Sequence, residues 1–402
     1  MPIYDAIIVG AGPAGSATAA LFARRGLRVL LVERCRFPRA KPCAEYLSPQ
    51  TSQILQNLGA TEILRRESPA RLRGMRIVSA DRTSFTGWFD GAHGFRAHSN
   101  FGIALPRKVL DARLAEVAVD SGATLLDGTT VERMSPAGPR CRQLLIRQGH
   151  RASIVSGRLI VGADGINSHI AKQMGVSRRG RLRRIALVSH AHDVAGMHDI
   201  GEMHVGRVGY AGIAPVGGGL TNLSIVIDLK HARVSGASVL VMQDLLRQFF
   251  PEIAARMADA RFVSPVLGAG PFSRHTTTAC SDRALLVGDA ADFYDPFTGE
   301  GIFTALRGAE LLAGQALAAI ETDKLSASDL TSYDTVRRHE FGGKWKVERM
   351  VAWFVGHPLA LNHVARRLAA KQRLADLLIG VAGDFVPPGQ VLRPQFFWQL
   401  VR

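Results

Sequence analysis

The first residues able to do chemistry are three glycines and an acid near the start of the chain. Gly10, Gly12 and Gly15 form a G-x-G-x-x-G turn after an apolar run, and Glu33 closes a second apolar run. Gly10 permits a tight turn, Gly12 lets the backbone approach a pyrophosphate, and Gly15 lets a helix pack close to a strand. Glu33 stands where an acid would bind a ribose 2′-OH. This pattern predicts a dinucleotide site.

A strand, a helix and a second strand must position these residues. Ile3 to Val9 is apolar on both faces, as a buried parallel strand requires. The helix opens at Pro13 and Ala14, where free N–H groups and the positive end of its dipole would face the phosphates. A glycine turn that only packs backbone is the alternative, but the full order of elements favours a bound nucleotide. The acid at the end of the second strand favours FAD or NAD over NADP.

Two further acids close apolar runs later in the chain. Gly288 and Asp289 follow one run, and Asp164 and Gly165 follow another, just before a helix that either Asn167 or Ser168 can cap. A carboxylate at the carboxyl end of a strand accepts hydrogen bonds from ligand hydroxyls well. We therefore expect Asp289 to face the ligand of the glycine turn.

A long helix is predicted to open after Pro296, at Gly299, Glu300 and Gly301, and to run to about Ile320. Its N–H groups could point at the N1/C2=O edge of a flavin, where negative charge accumulates on reduction. Glu300 is either an ordinary acid of the first turn or a residue that faces the flavin.

A basic loop with several prolines lies between Glu33 and Ser48. Such a loop beside a nucleotide site either covers the ligand or is merely solvated. Within it, Cys43 either lies near the flavin or is an inert buried thiol. Ser48 is predicted to cap a helix that has Pro49 at its first position.

Residues 185–229 alternate apolar and polar side chains between glycine turns, which predicts an antiparallel sheet in a second domain. His190, His192 and His204 alternate along these strands and are interpreted as polar-face residues rather than metal ligands. Tyr210 either touches the substrate, where its hydroxyl could polarise a phenol, or is a buried core tyrosine.

Composition narrows the class of protein. A hydrophobic content of 47% with 21% charged residues is typical of a globular chain, and no apolar run is long enough to span a membrane. Four cysteines without metal-like spacing, and no leader before the first strand, predict a reduced cytoplasmic protein. The net charge of +16 predicts attraction to anions, but no nucleic-acid-binding motif is present.

The C-terminal region predicts helices rich in tryptophan and basic residues. The aromatic residues there are too many for one helical stripe, so some must face another surface. Packing on the first domain is one possibility. The other is that Trp345 and Trp353 help cover an apolar substrate channel, with peripheral contact to an acidic membrane surface at the inner face.

Taken together, the glycine turn with Glu33, Ala163–Gly165 and Gly288–Gly301 resemble the FAD-dependent hydroxylase superfamily of the p-hydroxybenzoate hydroxylase type. Lys41-Pro42-Cys43 with Ser48-Pro49 is similar to its geranylgeranyl reductase-like branch. The resemblance implies that Arg107 lies at the pyrophosphate, that Asp164 and Gly165 brace the site, and that Asp289 binds the ribityl chain. In full, the implied cofactor contacts are Gly10, Gly12, Pro13, Ala14, Gly15, Glu33, Arg34, Lys41, Cys43, Arg107, Val131, Asp164, Gly165, Gly288, Asp289, Pro296, Gly299, Glu300, Gly301 and Ile302.

The predicted fold class is α/β, a Rossmann-like FAD-binding domain with an inserted antiparallel-sheet substrate domain and a C-terminal helical region. Residues 1–73, 97–183 and 270–322 are assigned to the first, 74–96 and 184–269 to the second, and 323–402 to the third.

The function predicted from the sequence is NAD(P)H-driven monooxygenation of a hydrophobic aromatic, phenolic or polyketide-like substrate. FAD would be the bound cofactor, NAD(P)H a transient reductant and O₂ the co-substrate, with Tyr210 and Glu300 as candidate catalytic residues. In the reductase-like branch glycines usually follow Lys-Pro-Cys, and here Ala44, Glu45 and Tyr46 replace them, a departure that argues against reduction of a long isoprenoid double bond. The alternatives are a flavin-dependent C=C reductase of polyprenyl chains and a non-enzymatic carrier on the same fold.

Overall fold

The structure, a computed structural model, describes residues 3–91, 94–231 and 237–401. The strands are β1 (Ile3–Val9), β2 (Val29–Val32), β3 (Tyr46–Leu47), β4 (Ala70–Leu72), β5 (Gly74–Val78), β6 (Ser84–Trp88), β7 (Gly102–Ala104), β8 (Thr124–Leu126), β9 (Thr129–Met134), β10 (Arg142–Gln148), β11 (Arg151–Gly162), β12 (Ser177–Arg179), β13 (Arg184–His192), β14 (Gly201–Val205), β15 (Gly209–Gly217), β16 (Leu220–Asp228), β17 (Arg261–Phe262), β18 (Leu267–Ala269), β19 (Arg274–Thr276), β20 (Cys280–Ser281) and β21 (Ala284–Leu286).

The α-helices are α1 (Pro13–Ala23), α2 (Thr51–Asn57), α3 (Thr61–Arg65), α4 (Arg107–Asp120), α5 (His169–Gln173), α6 (Val239–Phe249), α7 (Pro251–Arg256), α8 (Gly301–Glu321), α9 (Thr331–Gly356), α10 (Pro358–Ala369), α11 (Gln372–Ala382), α12 (Gly389–Leu392) and α13 (Pro394–Val401).

The first sheet contains β1 at its centre, with β2 and β11 parallel on either side. Beyond them β8 and β21 are also parallel, and β20 adds an antiparallel edge. Ile7, Ile8 and their neighbours on β2 are fully buried, because α1, α4 and α8 cover the sheet. This confirms the predicted Rossmann-like α/β architecture.

The turn between β1 and α1 tolerates only glycine at two positions. Gly10 has φ +101°, and a Cβ there would lie 2.4 Å from the carbonyl oxygen of Ala163. A Cβ on Gly15 would lie 1.8 Å from the carbonyl oxygen of Gly10. Contacts this short exclude any side chain, so both glycines let β1, β11 and α1 meet closely.

The second sheet has the order β17-β13-β16-β15-β14-β5-β6. It is antiparallel except for the parallel pair β14 and β5. One face, with Leu187, Leu223 and Ile225, packs against α6 and α7. The alternate residues, such as Val188 and Val226, point to the opposite face. This alternation gives the sheet one fully covered face and one face that borders the cavities described below.

The C-terminal helices α9 to α13 cover the outer part of that second face, so the predicted helical C-terminal region is present. Segments 74–96 and 184–269 supply the strands of the second sheet, while the exact boundaries of the three parts stay a prediction. In the described ranges, no helix is both long and apolar enough to cross a bilayer.

The helix predicted to start at Pro49 begins instead at Thr51. The hydroxyl of Ser48 lies 2.8 Å from that of Thr51, so it bonds a side chain and does not cap the backbone. The prediction was wrong by two residues, because the hydroxyl that the local sequence assigns to a backbone cap bonds the side chain of Thr51 instead.

Candidate active site

A large cavity, the first cavity, lies between the glycine turn, the second sheet and α9, and it encloses about 1820 Å³ with its open mouth. Most of the predicted cofactor residues line it. They are Gly12, Pro13, Ala14, Lys41, Cys43, Arg107, Gly165, Gly288, Asp289, Pro296, Gly299, Glu300, Gly301 and Ile302. Residues from five distant segments thus converge on one space.

The carboxylates of two predicted site residues, Glu33 and Asp164, accept hydrogen bonds from other groups of the protein. Glu33 accepts hydrogen bonds from the backbone N–H of Ala11 (3.0 Å) and from Arg39 (3.2 Å). Asp164 accepts from the hydroxyl of Ser168 (2.5 Å) and from the N–H of His169 (2.6 Å), at the start of α5. Asp164 therefore fixes the helix that follows it, while Ser168 caps that helix as predicted.

Four other predicted contacts lie outside the cavity wall. Gly10 and Gly15 shape the turn, as described above. Val131 is buried in β9 within the core of the first sheet, and Arg34 is exposed after β2. Their predicted cofactor contacts remain predictions.

A pair of guanidinium groups flanks Gly12. A methyl group placed on Gly12 would lie 3.8 Å from a nitrogen of Arg39 and of Arg107. Asp111 holds both, accepting from Arg39 (2.9 Å) and from the Nε of Arg107 (2.7 Å). Burial disfavours the charge of Arg107, but Asp111 outweighs it and raises the pKa of Arg107. Two fixed positive charges therefore stand beside the uncapped N-terminus of α1, an arrangement suited to phosphates.

Lys41 and Asp289, two groups of opposite charge, both line the first cavity. Burial and the positive charge of Arg107 lower the pKa of Lys41, while the negative charge of Asp289 raises it. Burial raises the pKa of Asp289, while Lys41 and Arg107 lower it. Hydroxyl groups of a ligand could replace the water that each group loses on burial.

Glu45 joins the cofactor half of the molecule to the second sheet. It is 2% exposed and has φ +62°, a left-handed conformation that favours glycine. One carboxylate oxygen accepts from the N–H of Arg107 (2.8 Å), the first residue of α4. The other accepts from Nδ2 of Asn222 (3.0 Å) and lies 2.6 Å from Nε2 of His190. We call Glu45 with these three partners the Glu45 clasp.

The ring of Tyr210 lines the first cavity, while its hydroxyl forms a hydrogen bond within the protein. The hydroxyl donates to Oδ1 of Asp295 (2.7 Å), whose other oxygen accepts from Arg184 (3.0 Å). Burial raises the pKa of Tyr210 well above its usual value. This is the geometry of a satisfied core tyrosine, and its predicted contact with substrate stays a prediction.

Glu300 stands at the start of α8 and is 3% exposed. Burial raises the pKa of Glu300 to about 7, against the effect of Lys344. Nζ of Lys344 lies 3.3 Å from Glu300 and also pairs with Asp384. No side chain caps the N-terminus of α8, so its first N–H groups are open toward the first cavity.

A second cavity of about 920 Å³ adjoins the first, and the two share Met75, Met203, Phe297, Thr298 and Glu300 as lining residues. The remaining wall is wholly apolar. It consists of Ile77, Phe85, Val347, Met350, Val351, Phe354, Val355, Leu361, Val364, Leu368, Leu378, Ile379, Ala382, Phe396, Phe397 and Leu400. The second cavity thus continues the first between the second sheet and the C-terminal helices.

The two tryptophans expected to cover a channel lie in different places. Trp345 lines the first cavity, with Arg337 5.3 Å from its ring centroid. Trp353 lines neither cavity, is 53% exposed and stacks on His357 at 4.1 Å. Phe354, its neighbour, supplies the wall of the second cavity instead.

The profile of a family described as an FAD binding domain matches residues 3–344. The chain belongs to this family. It is 32% identical over 343 residues to a digeranylgeranylglycerophospholipid reductase of Methanosarcina mazei, across 81% of this chain and 78% of that one. It is 27% identical over 396 residues to a menaquinone reductase of Mycolicibacterium smegmatis, across 95% of this chain and 92% of that one. A solved flavoprotein/dehydrogenase from Cytophaga hutchinsonii shares the fold, with a TM-score of 0.82, 19% identity and coverage of 95% and 93%.

These findings make the chain an FAD-dependent flavoenzyme of the oxidoreductase class, with the predicted likeness to geranylgeranyl reductases confirmed. The site fits the cofactor, because Gly12 leaves backbone open between two guanidinium groups and α1 points its N-terminus there. Gly12 and Arg107 would hold the pyrophosphate, Asp289 the ribityl hydroxyls, and the start of α8 the flavin edge. When bound, FAD supplies hydride transfer.

Several residues that shape the site escaped the sequence analysis. Asp111 and Glu348 stand four residues after Arg107 and Lys344 on helices, a spacing that sequence displays. Glu45 was noted only as a replacement of glycine, and nothing in the sequence indicated its partners Asn222 and His190. In the part of the chain that the structure describes, no cluster of three or more metal-binding side chains occurs.

Proposed function

We propose that the protein uses reduced FAD to saturate C=C bonds of a long isoprenoid substrate. The observation that carries this proposal is the second cavity, an apolar space that opens from the first cavity beside Glu300. A long hydrocarbon chain gains free energy there roughly in proportion to the apolar area removed from water, at about 25 cal/mol per Å². An aromatic substrate of one or two rings would leave this space unfilled.

The relatives support the same choice. Those at 32% and 27% identity are named as reductases of an isoprenoid lipid and of an isoprenoid quinone. The fold alone does not separate reduction from oxygenation. The preference from sequence for oxygenation therefore gives way to reduction as the first candidate.

The protein's own groups would orient the substrate and exclude water. The sheet face that includes Val188 and Val226 forms the apolar floor of the first cavity, and α9 closes the second. One double bond would lie at the flavin while the remaining chain extends into the second cavity. NAD(P)H or another reductant would reduce the flavin beforehand, and it would bind transiently, since no second nucleotide fingerprint is visible in the sequence.

The test is anaerobic incubation of the FAD-loaded, chemically reduced protein with an isoprenoid alcohol, followed by mass spectrometry. We expect products that gain pairs of hydrogens, with one flavin reoxidised per pair. No hydrogen uptake with any isoprenoid of several chain lengths would contradict the proposal.

A channel-filling variant tests the role of the second cavity. Val351→Trp places a large ring in the cavity wall, so we expect KM to rise strongly for a long isoprenoid but little for a short one. Lys346→Trp, on the exposed side of the same helix, is the matched control. Equal effects on long and short substrates would remove the second cavity from the mechanism.

Monooxygenation of a hydrophobic aromatic, phenolic or polyketide-like substrate is the second candidate. The observation that favours it is Glu45, a buried charged residue in the first cavity where the reductase-like branch has glycine. The two functions separate by oxygen. A monooxygenase consumes O₂ in step with a product that gains one oxygen atom, whereas a reductase works without air.

We also propose peripheral contact with an anionic membrane through the C-terminal helices. Leu359 is 85% exposed and Trp353 53%, and Phe397, which lines the second cavity, is 37% exposed. Exposed arginines such as Arg349 and Arg393 on α9 and before α13 would complement anionic headgroups.

Sedimentation with vesicles containing phosphatidylglycerol tests this contact. Leu359→Glu should reduce the bound fraction, and salt should reduce it further. Leu240→Glu, at a residue 72% exposed on α6, is the matched control and should bind like the wild type. Equal losses in both variants would argue against a membrane-facing surface.

A further inference from the structure

Four ionisable side chains meet where the two cavities adjoin. Glu300 lines both cavities, and Glu348 lines the first from α9. Lys344, one turn before Glu348, pairs with Glu300 and with Asp384. Asp384 follows α11 in a turn with φ +65°. Two carboxylates therefore pair with one ammonium group, and Glu348 adds a third carboxyl on the wall of the first cavity beside them.

With three carboxyl groups and one ammonium group, the cluster favours binding of an additional proton. Burial opposes the charge of Lys344, but Asp384 and Glu300 outweigh it and raise the pKa of Lys344, so it stays charged. Burial raises the pKa of Asp384 as well, against Lys344. One positive charge does not offset three negative ones in a buried site, which favours the neutral form of a carboxyl in this cluster.

Glu348 is the best placed to hold that proton. Burial raises its pKa well above the usual value, and the charge of Glu300 raises it further. The other groups that face it are Lys344, Asp295 and Arg349, and of these only Lys344 and Arg349 favour its charged form. Glu300 by contrast has the ammonium of Lys344 at 3.3 Å, which stabilises its charge.

A second observation points to a hydrogen-bonding molecule at this cluster. The hydroxyl of Tyr46 is buried without a partner, although Tyr46 is only 3% exposed and lines the first cavity. One carboxylate oxygen of Asp384 is also buried without a partner. The ring of Tyr46 lies 3.0 Å from where a Cβ on Gly299 would stand, next to Glu300, and Lys344 pairs with both Glu300 and Asp384. Orphaned polar atoms of this kind call for an ordered water or a ligand atom.

We propose that Glu348 is the proton donor of the reaction: its carboxyl holds a proton at the junction of the two cavities and delivers it to the substrate. This inference rests on the proposed function, since reduction of C=C needs one proton for each hydride. The O–H bond of Glu348 breaks, and a C–H bond forms at one alkene carbon. The other carbon receives the hydride that FAD supplies, so the alkene gains two hydrogens and FAD is left oxidised. The carboxylate of Glu348 regains its proton from water at the open mouth of the first cavity.

Two other polar side chains on the wall of the first cavity, Tyr210 and Glu45, are already engaged in hydrogen bonds. The hydroxyl of Tyr210 donates to Asp295, and Asp295 also accepts from Arg184 and from the N–H of Phe297. Glu45 accepts from its clasp partners. Each would have to break a buried hydrogen bond to deliver a proton, at a cost of about 1–3 kcal/mol.

The first test compares Glu348→Gln with Glu340→Gln, a control on the same helix whose carboxylate pairs with Arg307 outside the cavity. We expect Glu348→Gln to bind FAD and isoprenoid normally and to accept electrons normally. Its conversion of the isoprenoid should fall about 100-fold or more, the usual loss of a general acid. Glu348→Asp should restore part of the rate and shift the pH profile. Unchanged conversion in Glu348→Gln would overturn the proposal.

The second test does not depend on turnover. Infrared spectroscopy of the protein at neutral pH should show the carbonyl band of a protonated carboxyl that shifts in D₂O. The intensity of this band should fall by the contribution of one carboxyl in Glu348→Gln and stay unchanged in Glu340→Gln. If Glu348→Gln leaves the band intensity unchanged, Glu348 is not the proton store and the proposal fails. If the wild type converts no isoprenoid while the band behaves as expected, it is the proposed function that fails and not the protonation of Glu348.

Discussion

Replacing Glu45 by glycine or by alanine separates the strain at this residue from the bonds it makes. Both substitutions remove the carboxylate and leave the N–H of Arg107, the amide of Asn222 and His190 without it. The N–H of Arg107 then loses its cap at the start of α4, because no side chain of α4 caps it. We expect both variants to unfold more easily than the wild type, by roughly 2–4 kcal/mol.

The two variants should differ from one another by the cost of the backbone conformation. At φ +62° a residue with a Cβ pays about 1–2 kcal/mol that glycine does not. Glycine gives back about 0.5–1 kcal/mol, because it makes the unfolded chain more flexible. Glu45→Gly should therefore be more stable than Glu45→Ala by about 1 kcal/mol.

The assay is equilibrium unfolding in guanidinium chloride with saturating FAD, read as the free energy of unfolding at equal slope. Ala44→Gly is the control, since Ala44 has ordinary backbone geometry and glycine there should destabilise by about 0.5–1 kcal/mol. Two results would refute the reasoning. An alanine variant as stable as the glycine variant would mean that Glu45 is not strained. A wild-type-like stability in both would mean that the Glu45 clasp contributes nothing.

Three further predictions concern the cofactor site and its charges. Asp289→Ala should weaken FAD binding by roughly 1–3 kcal/mol, because a buried charged hydrogen-bond partner is lost. Fluorescence titration should show this as a Kd that is higher by about 5- to 150-fold. An unchanged Kd in a folded variant would remove the residue from the site. Gly12→Ala should fold normally, since the nearest atoms to its methyl lie at 3.8 Å. It should nevertheless raise the Kd for FAD roughly tenfold or more, because the methyl blocks the approach of the backbone to phosphate. Loss of folding without loss of affinity would contradict this role. Burial raises the pKa of Glu300 from 4.5 to about 7, so its stabilising proton is fully bound below pH 4.5 and lost as the pH rises to about 7. The free energy of unfolding of Glu300→Gln should therefore rise relative to the wild type across this window, and a constant difference between the two would show that the pKa is not raised.

Sequence predicted those parts of the site whose signal is local. The turn at Gly10, the cap at Ser168 and the acid at Asp289 each follow from a strand and the few residues after it. The same is true of the start of α8, which was expected within residues 299–301 and lies at Gly301. These features depend on backbone geometry within one supersecondary unit, so a single stretch of sequence contains the information.

Contacts between distant segments could not be predicted in this way. Glu45 meets His190 across 145 residues and Asn222 across 177, and nothing near position 45 names either partner. The charge of Lys344 is shared between Glu300 and Asp384, and neither can be inferred from α9 alone. Trp353 shows that composition alone does not locate a cavity wall. The sequence suggested that Trp353 covers a channel, but Trp353 is exposed and its neighbour Phe354 lines the second cavity.

The second cavity contains methionine where a rigid wall would have isoleucine or valine. Met75 and Met203 stand at its junction with the first cavity, and Met350 stands deeper on α9. Methionine adapts to irregular shapes because its unbranched chain has three rotatable bonds. A wall of this kind selects poorly between an unsaturated chain and its saturated product. Under the proposed function the product would therefore bind nearly as well as the substrate. Such binding allows successive reductions along one chain. It also means that we expect the saturated product to inhibit turnover.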